Sequence, residues 1–417
     1  MSLLHRLLHT PRRTLARRAA FQIHLWCGVI IGLYTALIGL TGSALVFRDE
    51  IERALRPNLY VLAPTVNTVP QPTLDQLLAT AVKALPDWQP RGFEQLPETP
   101  ATMPIHPVLL YMMPRPGHAV MAPHSFTPDQ LLVSFDPRTG ALLDARSRYA
   151  GVLGFAANLH YYLLAGNRGY LVNGVLAIAF LGVSLTGWIL WWPGIRRVVS
   201  ALRLHGLHRS HHGTKWNWKR LNWDLHSVGG FWSNPALIAI IATGIFFVFS
   251  QPILRVIAFT TGTDPRVIQA WYADPKLLPH PANAKPITVQ EAWVQASAAL
   301  PPGTHINYLA LPTGPDDAFE AIAYHPRTAP YAQPLRVYID PYQGSILKRF
   351  DSRSLPLPMR AVLYVYAVHF GSFAGLFSRV LWCCVGLLPT ALLTSGLVMW
   401  WNRSLRRTLL KWGTSRH

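Results

Sequence analysis

His24-Leu-Trp-Cys-Gly28, followed by Thr41-Gly42 and Phe47, recurs as His226-Ser-Val-Gly-Gly230, followed by Thr243-Gly244 and Phe249. In both copies the glycine stands at +4 from the histidine, the Thr-Gly pair at +17 and +18, and the phenylalanine at +23. A second motif repeats as faithfully. His160 precedes Gly187 by 27 residues and Trp191-Trp192 by 31 and 32, and His369 precedes Gly396 and Trp400-Trp401 by the same intervals. The chain therefore reads as a duplication, each half carrying two histidines at the ends of long apolar runs.

Those runs cover 21–47, 170–192, 226–250 and 377–401, and each is long enough to cross about 30 Å of hydrocarbon. The first follows Arg12, Arg13, Arg17 and Arg18, as a signal peptide would, but 27 residues is too long for a signal core and no small-residue cleavage site follows it, so an uncleaved helix is expected. A mean hydropathy of +0.20 over 417 residues is high for a soluble protein and low for a chain made only of spans. The remainder must fold outside the bilayer. Three cysteines, Cys27, Cys383 and Cys384, all lie in apolar runs and build no disulfide framework, and there is no CxxCH motif for covalent haem attachment.

Charge orients the spans. Residues 1–20, 193–225 and 402–417 hold 17 of the 38 Lys and Arg but 1 of the 19 acids. The positive-inside rule puts these three segments in the cytoplasm and the nearly balanced segments 48–154 and 251–363 on the outer side of the membrane. The net charge of +19 is thus a topology signal, and no nucleic-acid partner is expected. Residues 155–192 and 364–401 are expected to hold a histidine-bearing segment followed by a span. First and third spans run the same way, so the halves should be related by a twofold axis along the membrane normal. Between the spans, Phe135-Asp-Pro-Arg-Thr-Gly140 matches Ile339-Asp-Pro-Tyr-Gln-Gly344, each predicting a strand, a tight turn and a second strand. Helical patterns cover 74–85 and 289–300. The expected fold is integral-membrane α-helical, with four transmembrane helices in two pseudo-twofold repeats and two outer α+β domains.

None of the four apolar runs contains Asp or Glu, which argues against a proton-coupled or cation-coupled transporter. Four matched histidines in or beside membrane helices point instead to a metal cofactor. Neutral imidazole suits iron, copper and zinc, and two imidazoles on opposite sides of a porphyrin make a bis-histidine haem b. Gly28 and Gly42 share a helical face with His24, Gly230 and Gly244 share one with His226, and Gly187 and Gly396 fall near the depth of His24 and His226. A flat macrocycle needs backbone without side chains at such places; glycines that merely let membrane helices approach are the competing explanation. Topology pairs histidines across the halves, His24 with His226 and His160 with His369, because partners within one half begin at opposite faces of the membrane. A straight helix from His160 to Trp192 would be about 48 Å long, so the chain should break near Gly166-Asn167, and likewise near residues 371–375. Arg168 and Arg379, at the outer span ends, are candidates for haem carboxylates. His205, His208, His211 and His212 form a further cluster in the basic loop.

Ile23-His-Leu-Trp-Cys-Gly28, Leu159-His-Tyr-Tyr-Leu-Leu-Ala-Gly166, Asp224-Leu-His-Ser-Val-Gly229 and Val368-His-Phe-Gly371 together resemble the PepSY-associated transmembrane proteins, and Tyr338-Ile-Asp-Pro-Tyr-Gln-Gly344 resembles the PepSY hairpin. The resemblance covers about residues 15–403. It departs at Tyr161-Tyr162, where the family often has Arg-Ser, and at Phe370-Gly371-Ser372, where Thr-Gly-Arg is common. It implies a four-helix, iron-regulated protein of the bacterial inner membrane with two periplasmic PepSY-like domains, of the kind that includes dihaem reductases of ferric siderophores. Two bis-histidine haem b groups held by His24, His226, His160 and His369 would then pass electrons from a cytoplasmic or quinol donor to a periplasmic ferric siderophore. No flavin or nicotinamide motif is present, so the donor is a separate molecule. The alternative is a non-enzymatic membrane sensor or peptidase regulator acting through its PepSY-like domains.

Overall fold

The computed structural model describes residues 14–60, 71–94, 107–118, 120–122, 128–204, 217–281, 283–325, 329 and 332–405. The His205, His208, His211 and His212 cluster lies outside the described residues. In chain order the principal elements are helices α1 (Leu15–Leu45), α2 (Arg48–Leu55) and α3 (Leu74–Ala84), then strands β1 (Trp88–Glu94), β2 (Val108–Pro114), β3 (Leu131–Phe135) and β4 (Leu142–Ser147). Helices α4 (Gly151–Tyr162), α5 (Gly166–Trp191), α6 (Trp218–Val248), α7 (Ser250–Thr261), α8 (Pro265–Tyr272) and α9 (Val289–Ala299) come next. Strands β5 (Ile306–Ala310), β6 (Phe319–Tyr324), β7 (Pro334–Ile339) and β8 (Ile346–Asp351) lead to α10 (Leu357–Leu363), α11 (Val365–His369) and α12 (Gly375–Trp400). The chain divides into a unit built from α1, most of α5, α6 and α12, and a unit built from 47–170 and 249–376.

Among the described residues four helices are long and apolar enough to cross a membrane, and the first unit holds most of each. Lipid offers helices no hydrophobic reason to associate, so close packing and polar contacts must do it. A Cβ added to Gly39 of α1 would collide with the Gly386 carbonyl of α12, so the two backbones touch there, and the Ser43 hydroxyl donates to the Cys383 carbonyl at 2.8 Å. Leu237 and Ile241 of α6 pack with Val385 of α12 and with Phe180 and Leu181 of α5. The buried Asn234 amide donates to the Ser184 carbonyl at 2.9 Å, and Tyr34 donates to the Asn173 side-chain oxygen at 2.6 Å. The Arg17 guanidinium reaches the carbonyls of Ile189, Leu190 and Trp192 at the end of α5, where a cation meets the negative end of the helix dipole. Two expectations need correction. The third membrane helix starts at Trp218, earlier than the apolar run itself, so it contains Asp224. That carboxylate is buried and ion-paired with Arg220 at 3.0 Å, which is how an acid is accommodated at a helix end that hydropathy alone does not mark.

The second correction concerns the segments between spans. The sequence predicts two separate modules, whereas the two segments form one eight-stranded antiparallel sheet in the order β4-β3-β2-β1-β5-β6-β7-β8. Each half is a helix followed by a four-stranded meander whose first strand would be an unprotected edge. Pairing β1 with β5, in the register Gly92 to Ala310, Phe93 to Leu309 and Glu94 to Tyr308, covers both edges at once. Gly92 is required there because a Cβ would run into the Tyr308 ring. Helices α3 and α9 share one core with the sheet, including Leu77, Phe93, Leu110, Val133, Ala292, Leu309 and Val337. Both helices begin in a capping box, Thr73 with Gln76 and Thr288 with Glu291. They also cap each other: the Asp75 carboxylate accepts the backbone N–H groups of Val289 and Gln290 at 2.8 and 3.0 Å, and the Gln290 side-chain oxygen accepts that of Leu74 at 3.2 Å. The two Asp-Pro-x-x-Gly turns close as the sequence predicts. Asp136 accepts from the Arg138 N–H, Asp340 from those of Tyr342 and Gln343, and Gly140 and Gly344 take φ of +71° and +68°.

On the sheet, Glu94 accepts a hydrogen bond from the Tyr111 phenol, and Arg148 lies over the Tyr111 ring at 5.4 Å from its centre. Burial pushes the Glu94 carboxyl above its ordinary value, against the pull of Tyr111 and Arg148. Asp75→Ala should lower stability by about 1–2 kcal/mol, because it strips a cap from the helix of the other half, and thermal unfolding of the purified protein in detergent measures it. For Glu94 the folded pKa lies above the unfolded one, so its contribution is complete below the ordinary value of 4.5 and is lost as pH rises through the folded pKa. Stability measured against pH should therefore fall less steeply above that value in Glu94→Gln than in the native protein.

Candidate histidine-pair centres

His24 lies on α1 and His226 on α6, and their ring centres are 6.2 Å apart with the planes at 90°. Each ring is tied to a different helix in the same way. His24 Nδ1 is 3.0 Å from the Val183 carbonyl oxygen and 3.2 Å from the Thr186 hydroxyl on α5. His226 Nδ1 is 3.1 Å from the Leu392 carbonyl oxygen and 3.0 Å from the Ser395 hydroxyl on α12. A carbonyl only accepts, so Nδ1 carries the proton in both rings and donates it. The lone pair of each neutral imidazole is then on Nε2, the arrangement of a metal-ligating histidine whose other nitrogen is anchored. His226 sits in a π-helical turn, Leu225–Gly229, inserted within α6, whereas α1 is regular around His24.

The sequence predicts Gly187 and Gly396 at the levels of His24 and His226, against the face of a macrocycle; in the structure each lies beside the imidazole at its level. A Cβ on Gly187 would stand 3.4 Å from His24 Cε1, and one on Gly396 would stand 3.2 Å from His226 Cε1. The missing side chains let each ring come close enough to the neighbouring helix to reach its carbonyl. Gly28, one turn along from His24, is different: a Cβ there would meet nothing within 4 Å, while one on Gly230 would touch Leu392 at 3.6 Å. Gly42 and Gly244 are half-buried, each 18 residues beyond its histidine.

The second pair belongs to the unit with the sheet. His160 is in the last turn of α4 and His369 ends α11, with ring centres 6.2 Å apart and planes at 59°. The chain does break before the spans. Leu163 and Leu164 take φ of 48° and 59°, Gly166 takes 59°, and Gly371 and Gly375 take 69° and 62°. These left-handed residues end α4 and α11 and turn the chain before α5 and α12 start. Tyr161 and Tyr162 build a local aromatic cluster of edge-to-face contacts: Tyr161 lies 5.7 Å from His160, and Tyr162 lies 6.3 Å from Tyr149. Burial, reinforced by Tyr162, pushes the Tyr149 phenol above its ordinary value and keeps it neutral. Arg168 is exposed at the start of α5. Arg379 donates to the Val46 carbonyl at 2.6 Å, at the end of α1, so at least one of its guanidinium nitrogens serves as a helix cap.

Each pair has ring centres 6.2 Å apart, a spacing that two imidazoles on one metal ion would show. A ligating imidazole nitrogen lies about 2.0–2.1 Å from its metal, so two rings facing each other across one ion have centres roughly 6 Å apart. Among the described residues no group of three or more His, Cys, Asp and Glu could hold a metal ion by itself. A tetrahedral protein-only zinc site would need more ligands than either pair supplies, whereas a porphyrin brings four of its own. Histidine and glycine spacing does not single out Thr186 and Ser395. Their signal is nonetheless present, since each hydroxyl residue immediately precedes the matched glycine, Gly187 or Gly396. A family model described as the PepSY-associated TM region matches residues 21–403. No curated protein matches the chain. Gly396→Val should destabilise the membrane unit by about 1–3 kcal/mol through overpacking against His226. Gly182→Ala, where a Cβ meets nothing within 4 Å, should cost nothing; thermal unfolding of both variants distinguishes the two sites.

Proposed function

The chain belongs to the PepSY-associated transmembrane family, and on that premise we propose that it is a two-haem electron conduit of the bacterial inner membrane. In this reading it takes electrons from a cytoplasmic or quinol donor and delivers them to a ferric chelate of the siderophore kind in the periplasm. His24 and His226 hold one haem b, and His160 and His369 hold the other. When bound, each group supplies one-electron chemistry at its iron, and the protein supplies position and electrostatics. The Val183 and Leu392 carbonyls, with the Thr186 and Ser395 hydroxyls, fix the tautomer and aim of the first pair and raise its basicity as ligands. Lipid around the spans excludes water from that pair. Reduction of a tightly chelated ferric ion weakens its hold on a hard-oxygen chelator, which is the chemical use of such a conduit.

The observation that carries the reading is the repeated one: two imidazole pairs, each at the separation one iron requires, made from four histidines that a duplication keeps in register. The orientation, with both termini in the cytoplasm, rests on the distribution of Lys and Arg. A reduced-minus-oxidised spectrum of the purified protein, with haem quantified per chain, tests it. Two b-type components and their reoxidation by ferric siderophores are expected, while a colourless, fully folded protein would favour the sensor or regulator reading. His24→Ala and His226→Ala should each remove one and the same component, and His160→Ala and His369→Ala should each remove the other. Loss of a common component in His24→Ala and His369→Ala, with His226→Ala sparing it, would overturn the pairing.

A further inference from the structure

The helices next to the His160–His369 pair, and the chain that joins this unit to the spans, turn large apolar side chains outward. Val152 on α4 is 83% exposed, Leu357 on α10 74%, and Leu376 at the entry to α12 66%. On α7, Val256 is 61% and Phe259 88% exposed, while Leu254 and Ala258 on the other side of the same helix are buried. Scattered exposed apolar residues are ordinary on a soluble surface. Here they gather on segments covalently close to the bilayer. α7 begins two residues after α6 ends, Leu376 lies inside the first turn of a membrane helix, and α4 is separated from α5 by residues 163–165. In the same unit α3 exposes none of its large apolar residues, and α9 exposes only Val294. The exposed face of α7 carries one cation, Arg255, and no acid.

We propose that α7, with the first turns of α4 and α10 and the entry to α12, is a lipid-binding surface lying in the headgroup layer of a phospholipid bilayer. A helix with one buried side and an opposite side of Val, Phe and Arg matches that boundary: apolar side chains reach about 5–10 Å past the headgroups, and the guanidinium stays with the phosphates. Covalent reach agrees, since a twelve-residue helix is about 18 Å long and its last turn cannot leave the end of α6 by more than that plus the linking residue. One consequence concerns the second histidine pair. α4 carries both Val152 and His160, so one anchored helix holds a ring, and anchored α10 leads through Tyr364 into α11, which ends at His369. The inference concerns lipid alone and stands whether or not haem is the group that the histidines bind.

The test uses the full chain with Cys27, Cys383 and Cys384 changed to Ala and a single cysteine introduced as Phe259→Cys, Val152→Cys or, for comparison, Lys83→Cys on the water-facing side of α3. Each is labelled with an environment-sensitive fluorophore and reconstituted into vesicles of phosphatidylethanolamine and phosphatidylglycerol. Labels at 259 and 152 should show blue-shifted emission, strong quenching by lipids carrying a nitroxide near the headgroup, and loss of quenching by aqueous iodide. The label at 83 should behave in the opposite way. Iodide quenching at 259 and 152 equal to that at 83 would overturn the proposal. So would shielding from iodide without lipid quenching, accompanied by disulfide cross-linking of Phe259→Cys between copies, which would make the face a protein interface.

Discussion

An imidazole N–H inside hydrocarbon has no water to donate to, so its acceptor must be another helix. That requirement organises the membrane unit. His24 on α1 satisfies Nδ1 at the Val183 carbonyl, and it can reach a carbonyl already engaged in the α5 ladder only if α5 presents no side chain at the contact. Gly187 provides the gap and Thr186 a second acceptor. Gly396 and Ser395, on α12, do the same for His226. The bond thereby sets α1 against α5 and α6 against α12, and it brings two lone-pair-bearing Nε2 rings within 6.2 Å between their centres. The contact that packs the helices also fixes the tautomer of both rings.

The second pair rests on a different device. His160 and His369 lie at the ends of short helices of the sheet unit, and left-handed residues at 163, 164 and 166, and at 371 and 375, stop those helices before the spans begin. Without the breaks each histidine would continue along the axis of its membrane helix. The sheet supplies the common frame. Because β1 pairs with β5, the α4 and α11 segments descend from a single folded body rather than from two modules that could drift apart, and reciprocal capping by Asp75 and Gln290 reinforces the join.

Local features are legible in the sequence, and features depending on distant partners are not. The capping boxes at Thr73 and Thr288 and the turns at Asp136 and Asp340 are written in a few consecutive residues, and the structure realises each. The proximity of the histidine pairs is legible because duplication converts offsets into geometry. The merging of the two outer segments is not, since Gly92 carries no signal that the Tyr308 ring packs over it across two strand edges. The task of Gly187 and Gly396 is hidden for a related reason. A glycine reports that something approaches closely, and here the approaching group is the imidazole. Asp224 falls outside the apolar run because hydropathy marks the apolar part of a helix and is blind to the polar turns that extend it.

The two halves agree where a shared centre demands it and diverge where the chain leaves the spans. Phe47 and Phe249 occupy matched places and both cap a new helix with nearly the same backbone, φ −112° and −116°. The two capped helices are nevertheless unlike. α2 is highly charged, and its Glu52 pairs with Arg48 and with Arg146 of the sheet, while Asp144 engages Arg56 and Arg146. α7 has Arg255 as its single charged residue, and it buries Leu254 and Ala258 while exposing Phe259. Ion pairs tolerate water and tie α2 to the sheet, whereas an exposed phenylalanine gains nothing from water and favours apolar surroundings. A duplicated chain can satisfy the symmetric demand of two histidine pairs with matched residues and still fasten its two outer flanks by unlike forces, because nothing in the ligand geometry constrains the first turns after Phe47 and Phe249.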